Sequence, residues 1–326
     1  MIQPNELKTE LPVSLSNGAV STTTKLWDIL SASYKGDLQA IKELVNECPE
    51  LIYAQYNYTP PIHFAVREGH VELVKYLLSN GAHDPAYKIY PFLDSLQTIA
   101  EDRGYEETVL LLEQYANNNL QQYYKGDNGA IHFPRTTLQK EFEKAVDENN
   151  IERTEAILKV HPEFALDETY FWGEGILMRP AKENRREMIS LLMHYGAKVP
   201  AILKWTQFYY FEHNEGAVFM MENGMDADTM SWHGVTILHD MAQKGNIAKA
   251  ALLLQYGADI NVIEEEYQST PLGMAARWGH TAMVKYLLQQ GADVNKAGAS
   301  WSTPLAWAKK KKHSEIEQLL HDAGAL

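Results

Sequence analysis

Apolar residues recur along this chain with the period of one helix face. Val71, Val74, Leu77 and Leu78 stand at positions i, i+3, i+6 and i+7, which predicts an amphipathic helix with one buried stripe. The same kind of stripe returns in two later segments, at Met283, Val284, Leu287 and Leu288, and at Ile316, Leu319 and Leu320. Short helices of this kind cannot bury their stripe alone, so we expect neighbouring helices to stack into a shared core.

Turn residues and polar residues around these helices recur at a fixed distance. Thr236, Thr270 and Thr303 begin three similar stretches, T-I-L-H-D-M-A, T-P-L-G-M-A-A and T-P-L-A-W-A, and they lie 34 and 33 residues apart. Each stretch is followed by a predicted helix and then by Gly-Ala. A constant period near 33 residues indicates a repeat architecture.

These motifs resemble the ankyrin repeat, with its T-P-L-H-x-A start, its turn glycine and its G-A-D-V-N loop. Residues 231–326 carry the resemblance most fully, and residues 60–84 are nearly as close. The resemblance implies an all-α ankyrin-repeat solenoid of about nine helix-turn-helix units with short finger loops. It also implies that partners bind on the concave face, which is made by the finger loops and the first helices.

The turn between the two helices of each repeat can be phased from these motifs. Glycine or asparagine stands at most of these positions because the turn favours a left-handed backbone, whereas Glu212 and Lys312 depart from that preference. We also expect threonine to cap the first helices and glycine to end the second helices. The predicted turn positions are Gly36, Gly69, Gly104, Asn149, Asn184, Glu212, Gly245, Gly279 and Lys312.

Two irregular spacings divide the predicted solenoid. An interval of 45 residues between turns marks an insertion at about Asn117 to Pro134, and an interval of 28 marks a shortened link after Gly196. The resulting domain prediction is a flexible N-terminal arm (1–23), repeats 1–3 (24–117), an inserted linker (118–137) and repeats 4–9 (138–326).

Composition restricts the classes of function. The chain has 326 residues with 43 acidic and 29 basic side chains, a formal net charge of −14, which disfavours nucleic acid and anionic lipid as partners. No apolar run is long enough to cross a membrane, and the single cysteine, Cys48, excludes an intrachain disulfide. We expect a cytoplasmic monomer that binds neither nucleic acid nor membrane.

Candidate chemistry is sparse. The sequence lacks G-x-S-x-G, Walker, H-E-x-x-H and dinucleotide glycine motifs, so we expect no enzyme, no cofactor and no metal ion. The resemblance gives His63 and His239 a structural role at the T-P-L-H position. Asp226 and Asp228 look like the start of a calcium loop, but the later acidic ligands are missing.

Aromatic and basic residues occupy the finger and pre-turn positions that the ankyrin resemblance assigns to partner binding. Such side chains anchor interfaces because they bury much area at a modest entropic cost. The predicted partner-binding groove comprises Phe171, Trp172, Tyr210, Phe211, Trp232, His233, Tyr267, Arg277, Trp278, Lys310 and Lys311. The alternative is that several of them pack against neighbouring repeats, Tyr210 and Phe211 in particular.

Two charge runs and two loop asparagines remain. The run from Lys309 to Lys312 could be a nuclear-import or anionic-partner patch, but the solvated end of a terminal repeat is the favoured interpretation. The run from Glu264 to Glu266 is expected to be an exposed finger tip. Asn261 and Asn295 match the loop asparagine that hydroxylases modify in some animal ankyrin proteins, although we expect them to hydrogen-bond within their own loop.

The leading functional hypothesis is a non-catalytic scaffold that binds a protein partner on the concave face. One alternative is a small-molecule-binding or enzymatic module formed by the insertion and the irregular repeats 4–6, which a deep polar pocket near 118–137 would favour. Another is an acidic inhibitor or effector of a basic partner, which would need carboxylates gathered on one face.

Overall fold

A computed structural model describes residues 1–15, 18–117, 131, 133–203 and 209–326. These residues form two compact blocks. The first block comprises residues 3–134, and the second comprises residues 1–2 together with 135–326. The point of division lies inside the predicted linker 118–137, most of which is outside the described residues.

The helices of the first block pair as repeats 1–3. They are α1 (Thr23–Lys35), α2 (Leu38–Glu47), α3 (Pro61–Arg67), α4 (Val71–Ser79), α5 (Leu96–Arg103) and α6 (Glu106–Asn117). A 3-10 helix (Pro49–Tyr53) follows α2. The first helices of successive repeats pack on one another, since α1 contacts α3 and α3 contacts α5, and the second helices α4 and α6 also contact each other.

The segment before α1 has defined elements, which differs from the flexible arm predicted from the sequence. Leu7 and Val13 are buried, so apolar side chains of this segment belong to the core of the first block. Its elements are a 3-10 helix (Asn5–Leu7) and two antiparallel strands, β1 (Pro12–Ser14) and β2 (Val20–Thr22).

The second block contains residues 138–326, which are predicted as repeats 4–9. Repeat 6 is irregular, because a 3-10 helix (Tyr209–Phe211) stands before α12 and residues 204–208 lie outside the described part. Its helices are α7 (Thr137–Asp147), α8 (Ile151–Leu158), α9 (Tyr170–Gly173), α10 (Met178–Lys182), α11 (Arg186–His194), α12 (Asn214–Glu222), α13 (Ile237–Gln243), α14 (Ile247–Gln255), α15 (Pro271–Arg277), α16 (Thr281–Gln289), α17 (Pro304–Lys311) and α18 (Ser314–Asp322). The other elements are 3-10 helices Pro162–Leu166 and Ser300–Ser302, and two short parallel strands, β3 (Ile202–Leu203) and β4 (Met230–Ser231).

The predicted apolar stripes form the core, which confirms the all-α repeat fold. In α4 the side chains of Val74, Leu77 and Leu78 are buried, and Ile316 and Leu320 repeat this in α18. Burial of one such side chain stabilises the fold by about 1.5–3 kcal/mol. The stripes therefore hold successive repeats together.

Threonine caps begin the first helices as predicted. Thr270 and Thr303 each accept a backbone N–H three residues later, and a proline follows each of them at the first helical position. In repeat 7 the imidazole of His239 accepts the backbone N–H of Thr236 through Nδ1 (3.1 Å) and donates through Nε2 to the Ser269 carbonyl (3.1 Å). Burial lowers the pKa of His239 to about 4, so this neutral side chain ties repeat 7 to repeat 8.

Eight of the nine predicted turn residues have a left-handed backbone, including Lys312 with a φ of 61°. Glu212 does not, so the turn predicted there is wrong. Repeat 6 instead enters α12 from the 3-10 helix Tyr209–Phe211, a connection that needs no left-handed residue at this position.

Consecutive turns in the second block touch through one recurring hydrogen bond, which we call the turn-to-turn contact. The side chain that follows one turn donates to the carbonyl that lies two residues before the preceding turn. His280 donates through Nε2 to the Gln243 carbonyl (2.6 Å), and its ring covers Gly245 so closely that a Cβ there would lie 2.8 Å from Nδ1. Glycine is therefore needed at position 245 for two reasons: a Cβ would collide with the His280 ring, and the backbone has a positive φ.

The loops that end successive repeats are linked by a ladder of side-chain acceptors. Asp228 accepts the backbone N–H of Asp259 (2.8 Å), and Asn261 accepts that of Asp293 (2.8 Å). Asn295 continues the ladder by accepting the N–H of Leu326 (2.9 Å). The expectation that the asparagine side chains bond within their own loop is therefore corrected, because they join each loop to the next.

Candidate partner-binding surface

Most of the predicted groove is interior. Tyr210, Phe211, Trp232 and Tyr267 are each 1% exposed, so these rings fill the stack of repeats and cannot line an open groove as predicted. Phe171, His233 and Arg277 are also buried. The side chain of Trp172 lies outside the described part of the chain.

The aromatic residues of repeats 5 and 6 have structural partners. The Tyr210 hydroxyl donates to the Glu174 carbonyl (2.9 Å) within the interior, and burial raises the pKa of Tyr210 well above its usual value. Phe171 donates its backbone N–H to Glu143 (2.9 Å). These residues hold the irregular repeats together, which is the alternative that the sequence left open.

The aromatic side chains in the finger of repeat 7 are also buried. The Trp232 ring meets the His233 ring edge-on, with their centroids 4.3 Å apart. Nδ1 of His233 is hydrogen-bonded to the carboxylate of Glu266, which is itself buried. These groups are engaged inside the fold rather than presented at its surface.

The predicted exposed finger tip at Glu264 to Glu266 is wrong, because Glu264 and Glu266 are fully buried. The Glu264 carboxylate accepts the backbone N–H groups of Glu266 (2.6 Å), Tyr267 (2.9 Å) and Ser269 (3.1 Å). Desolvation, followed by the nearby Glu266, raises the pKa of Glu264 to about 8. Glu264 therefore folds the finger loop around itself and fixes Tyr267 at its base.

The structure brings three of the predicted residues, Tyr267, Arg277 and Trp278, together with Trp301 and Trp307 in repeats 8 and 9. The Arg277 guanidinium lies 4.1 Å from the ring centroids of Tyr267 and Trp278 and 5.1 Å from that of Trp307. Trp301 meets Trp307 edge-on at 5.7 Å. We call these five side chains, one guanidinium and four aromatic rings, the Arg277 cluster, and cation–π attraction joins the guanidinium to three of the rings.

The base of the Arg277 cluster is rigid. Trp307 is fully buried and donates its Nε1–H to the Ser269 hydroxyl (2.7 Å). The Tyr267 ring packs edge-on against Trp278 at 5.6 Å and against Trp307 at 6.0 Å. A guanidinium enclosed by such rings has little freedom, so the side chains above it are held in place.

The rim of the cluster reaches the surface. Trp278 and Trp301 are half-buried, and Lys310 is exposed. The ammonium groups of Lys310 and Lys311 each lie 5.8 Å from the Trp307 ring. Trp301 was missed by sequence reasoning, although its place two residues before Thr303 puts it in the finger of repeat 9.

Repeats 4 and 5 contain a small cavity of about 200 Å³. Asp167 on its wall is engaged, because it accepts from Arg135 at 2.8 Å. Small-molecule sites usually enclose about 300–1,000 Å³, so this cavity lies below that range. Its lining is Ala165, Leu166, Asp167, Glu168, Gly175, Ile176, Gly196 and Lys198.

The described helices include none that is both long and apolar enough to span a bilayer. A segment of 86 residues, 26% of this chain, is 38% identical to the ARF GTPase-activating protein Git of Drosophila melanogaster. The match covers 12% of that protein's length, so the chain corresponds to a small part of that relative.

One solved structure and one family model are similar to this chain. The crystal structure of an ankyrin repeat domain from Acinetobacter baumannii AYE is similar to 58% of this chain and to 100% of its own chain, with 23% identity and a TM-score of 0.45. The family model "Ankyrin repeats (3 copies)" matches residues 29–122, 207–298 and 263–325, together more than half of the chain. The chain belongs to the ankyrin repeat family.

Proposed function

We propose that this protein is a non-catalytic interaction module that binds a protein partner through the rim of the Arg277 cluster. Ankyrin repeats are generally protein–protein interaction modules, but the family does not determine which surface is used. The proposed surface comprises Trp278, Trp301 and Lys310, with Lys311 at its margin. The single cysteine suits a reducing compartment, so we propose a cytoplasmic location. We also propose that the protein is a monomer.

One observation carries the proposal, namely two half-buried tryptophan rings supported by a buried cation–aromatic base. Tryptophan and arginine dominate interface hot spots. A ring that is already fixed loses less conformational entropy on binding than a mobile side chain. The rim therefore exposes apolar surface that a partner can cover, and its side chains lose little conformational entropy when they bind. The aromatic rings of repeats 5–7 are already buried.

Site-specific photo-cross-linking tests this proposal. A photoreactive amino acid is placed at Trp301 in the full chain, with a matched variant at Val160, which is 71% exposed in repeat 4. Incubation with an extract of the source cells is expected to give a discrete protein adduct from position 301 that is missing from position 160. Equal adducts from both positions, or none from position 301, would contradict the proposed surface.

A further inference from the structure

The lysine run beside the rim lacks carboxylate partners at two of its four positions. Lys309 and Lys312 are exposed, and neither ammonium group lies within 4.0 Å of a carboxylate in the described ranges. Lys310 and Lys311 lie over the Trp307 ring. Four neighbouring positive charges therefore end α17 next to the aromatic rim.

Acidic side chains of the following helix, α18, are used elsewhere. Glu315 pairs with Lys285 at 3.2 Å, and Glu317 lies 3.9 Å from His321. Asp322 accepts from Gln318 at 2.8 Å. Cations at a helix C-terminus are stabilised by the helix dipole, and the exposed ammonium groups of Lys309 and Lys312 can still pair with a partner.

The charge of the chain is unevenly distributed. Residues 231–326 contain nine basic and nine acidic side chains, so the formal charge of −14 belongs to the preceding residues. Three of the nine acids, Glu264 to Glu266, are tied into the finger of repeat 8: Glu264 by backbone N–H groups, Glu265 by the amino group of Met1 and Glu266 by His233. The surface near the rim is therefore locally basic on an acidic protein.

We propose that the partner presents a short acidic segment, in which glutamates or aspartates flank an aromatic or aliphatic side chain. This inference rests on the proposed function and adds the chemistry of the partner. The apolar side chain contacts Trp278 and Trp301, and the flanking carboxylates pair with the ammonium groups of Lys309 and Lys312. Charge complementarity of this kind increases association rate and specificity more than affinity.

A protein segment suits this surface better than a nucleic acid or an anionic membrane does. Nucleic-acid binding gains affinity by neutralising several successive phosphates, which needs a basic track longer than one helix end. The acidic remainder of the chain repels an extended polyanion. A short acidic peptide can contact the lysine run alone.

Isothermal titration calorimetry on the full chain tests the inference. The probe is a synthetic peptide with glutamates on both sides of one phenylalanine, and its control has glutamine in place of every glutamate. The variants are Lys309→Gln and Lys312→Asn, which keeps a residue that tolerates a left-handed backbone. The matched control is Lys140→Gln, an exposed lysine of α7 in the same block.

We expect saturable binding of the acidic peptide, at least tenfold weaker binding of the glutamine peptide, and roughly threefold weaker binding after each rim substitution. Lys140→Gln should bind like the wild type. The inference is overturned if the acidic peptide does not bind, if both peptides bind alike, or if Lys309→Gln and Lys140→Gln behave alike. Tighter binding of single-stranded DNA or phosphatidylserine vesicles also overturns it.

The two proposals fail in different ways. A protein adduct at Trp301 whose formation is unaffected by Lys309→Gln would preserve the interaction surface and remove the acidic partner. The lack of any adduct at Trp301 together with binding of the acidic peptide would remove the proposed function as stated and leave only an anion-binding helix end.

Discussion

Repeats 7–9 and repeats 4 and 5 make the same contact between successive turns with different residues. In repeats 7–9 the turns at Gly245 and Gly279 are covered by the rings of His280 and His313. His313 donates to the Arg277 carbonyl at 3.2 Å, as His280 does to Gln243. In these repeats the contact therefore pairs a turn glycine with the histidine that follows the next turn.

In repeats 4 and 5 asparagine and arginine replace that pair. The turns lie at Asn149 and Asn184, and the side chain that follows the second turn is Arg185. Its Nη1 donates to the carbonyls of Asp147 (2.7 Å) and Val146 (3.3 Å). Asp147 lies two residues before its turn, as Gln243 does before Gly245, so the position of the hydrogen bond is constant while the residues vary.

The two regions also differ in what their aromatic residues do. Tyr210 and Phe211 are buried where repeat 6 lacks a regular first helix in its described part. In repeats 8 and 9 regular helices fill that space, and Trp278 and Trp301 remain half-buried. The irregular repeat 6 therefore buries Tyr210 and Phe211, whereas Trp278 and Trp301 of the regular repeats keep part of their surface exposed.

The largest expected effect is at the covered glycine. Gly245→Ala would place a Cβ 2.8 Å from His280 and force alanine to a φ of 65°, so we expect the free energy of unfolding to fall by about 2–4 kcal/mol. Urea denaturation followed by circular dichroism measures it. The double variant Gly245→Ala, His280→Ala should recover part of the loss, because the ring no longer meets the new methyl group. Equal losses in the single and double variants would refute the close contact.

The second-largest effect on stability is expected at Asp240, a buried carboxyl group in repeat 7. Asp240 occupies the position of Met274 and Trp307 in the following repeats, and desolvation raises its pKa to about 6 despite the nearby Lys244. The folded state thus holds the proton more tightly than the unfolded state. This contribution to stability is complete below about pH 4 and is lost as the pH rises through about 6.

Asp240→Asn removes that dependence and keeps the shape of the side chain. Between pH 4 and 7 the free energy of unfolding of the wild type should fall relative to the variant by about 2–3 kcal/mol. Denaturation at both pH values measures the difference. His239, whose pKa is lowered to about 4, contributes with the opposite sign in both proteins and cancels. Parallel pH profiles would show that Asp240 is not perturbed.

Arg185 tests whether arginine replaces histidine in the turn-to-turn contact. Arg185→Ala should lower the free energy of unfolding by about 1–2 kcal/mol, because two carbonyl acceptors lose a charged donor. Arg185→His should recover most of that loss if the position of the hydrogen bond is what matters. Thermal unfolding compares the three proteins, and a histidine variant no better than alanine would contradict the equivalence.

The smallest effect is expected at the last turn. Lys312 has a φ of 61° but no later repeat covers it within the described chain. Lys312→Gly relieves the left-handed strain and should raise the free energy of unfolding by about 0.5 kcal/mol. A marked loss in chemical denaturation would show that the lysine side chain itself holds the turn.

The sequence predicted the fold well because the repeat depends on local features. The apolar stripe around Val74 and Leu77, the caps at Thr270 and Thr303, and most turn residues follow from short-range physical rules. The turn predicted at Glu212 failed because repeat 6 enters α12 from the 3-10 helix Tyr209–Phe211. The prediction of an exposed acidic finger tip failed because the backbone N–H groups around Glu264 converge on its carboxylate only in the folded loop.

The candidate surface was predicted less well. Finger positions can be recognised from the period, but whether a ring there is covered depends on the neighbouring repeat. Trp232 and Tyr267 are covered, Trp278 is partly open, and Trp301 lies at the equivalent finger of repeat 9. The contact of Arg277 with three rings requires side chains from repeats 8 and 9 together, and no single sequence motif predicts it.

The most direct test of the central claim is the affinity of the cross-linked partner, once purified, for two matched aromatic variants. Trp301→Ala removes a rim residue, and Tyr256→Ala removes a half-buried aromatic residue that follows α14. A hot-spot tryptophan contributes about 2 kcal/mol or more, so Trp301→Ala should raise the Kd at least about thirtyfold. Tyr256→Ala should leave it unchanged. Equal Kd values for wild type and Trp301→Ala would contradict the proposed binding surface.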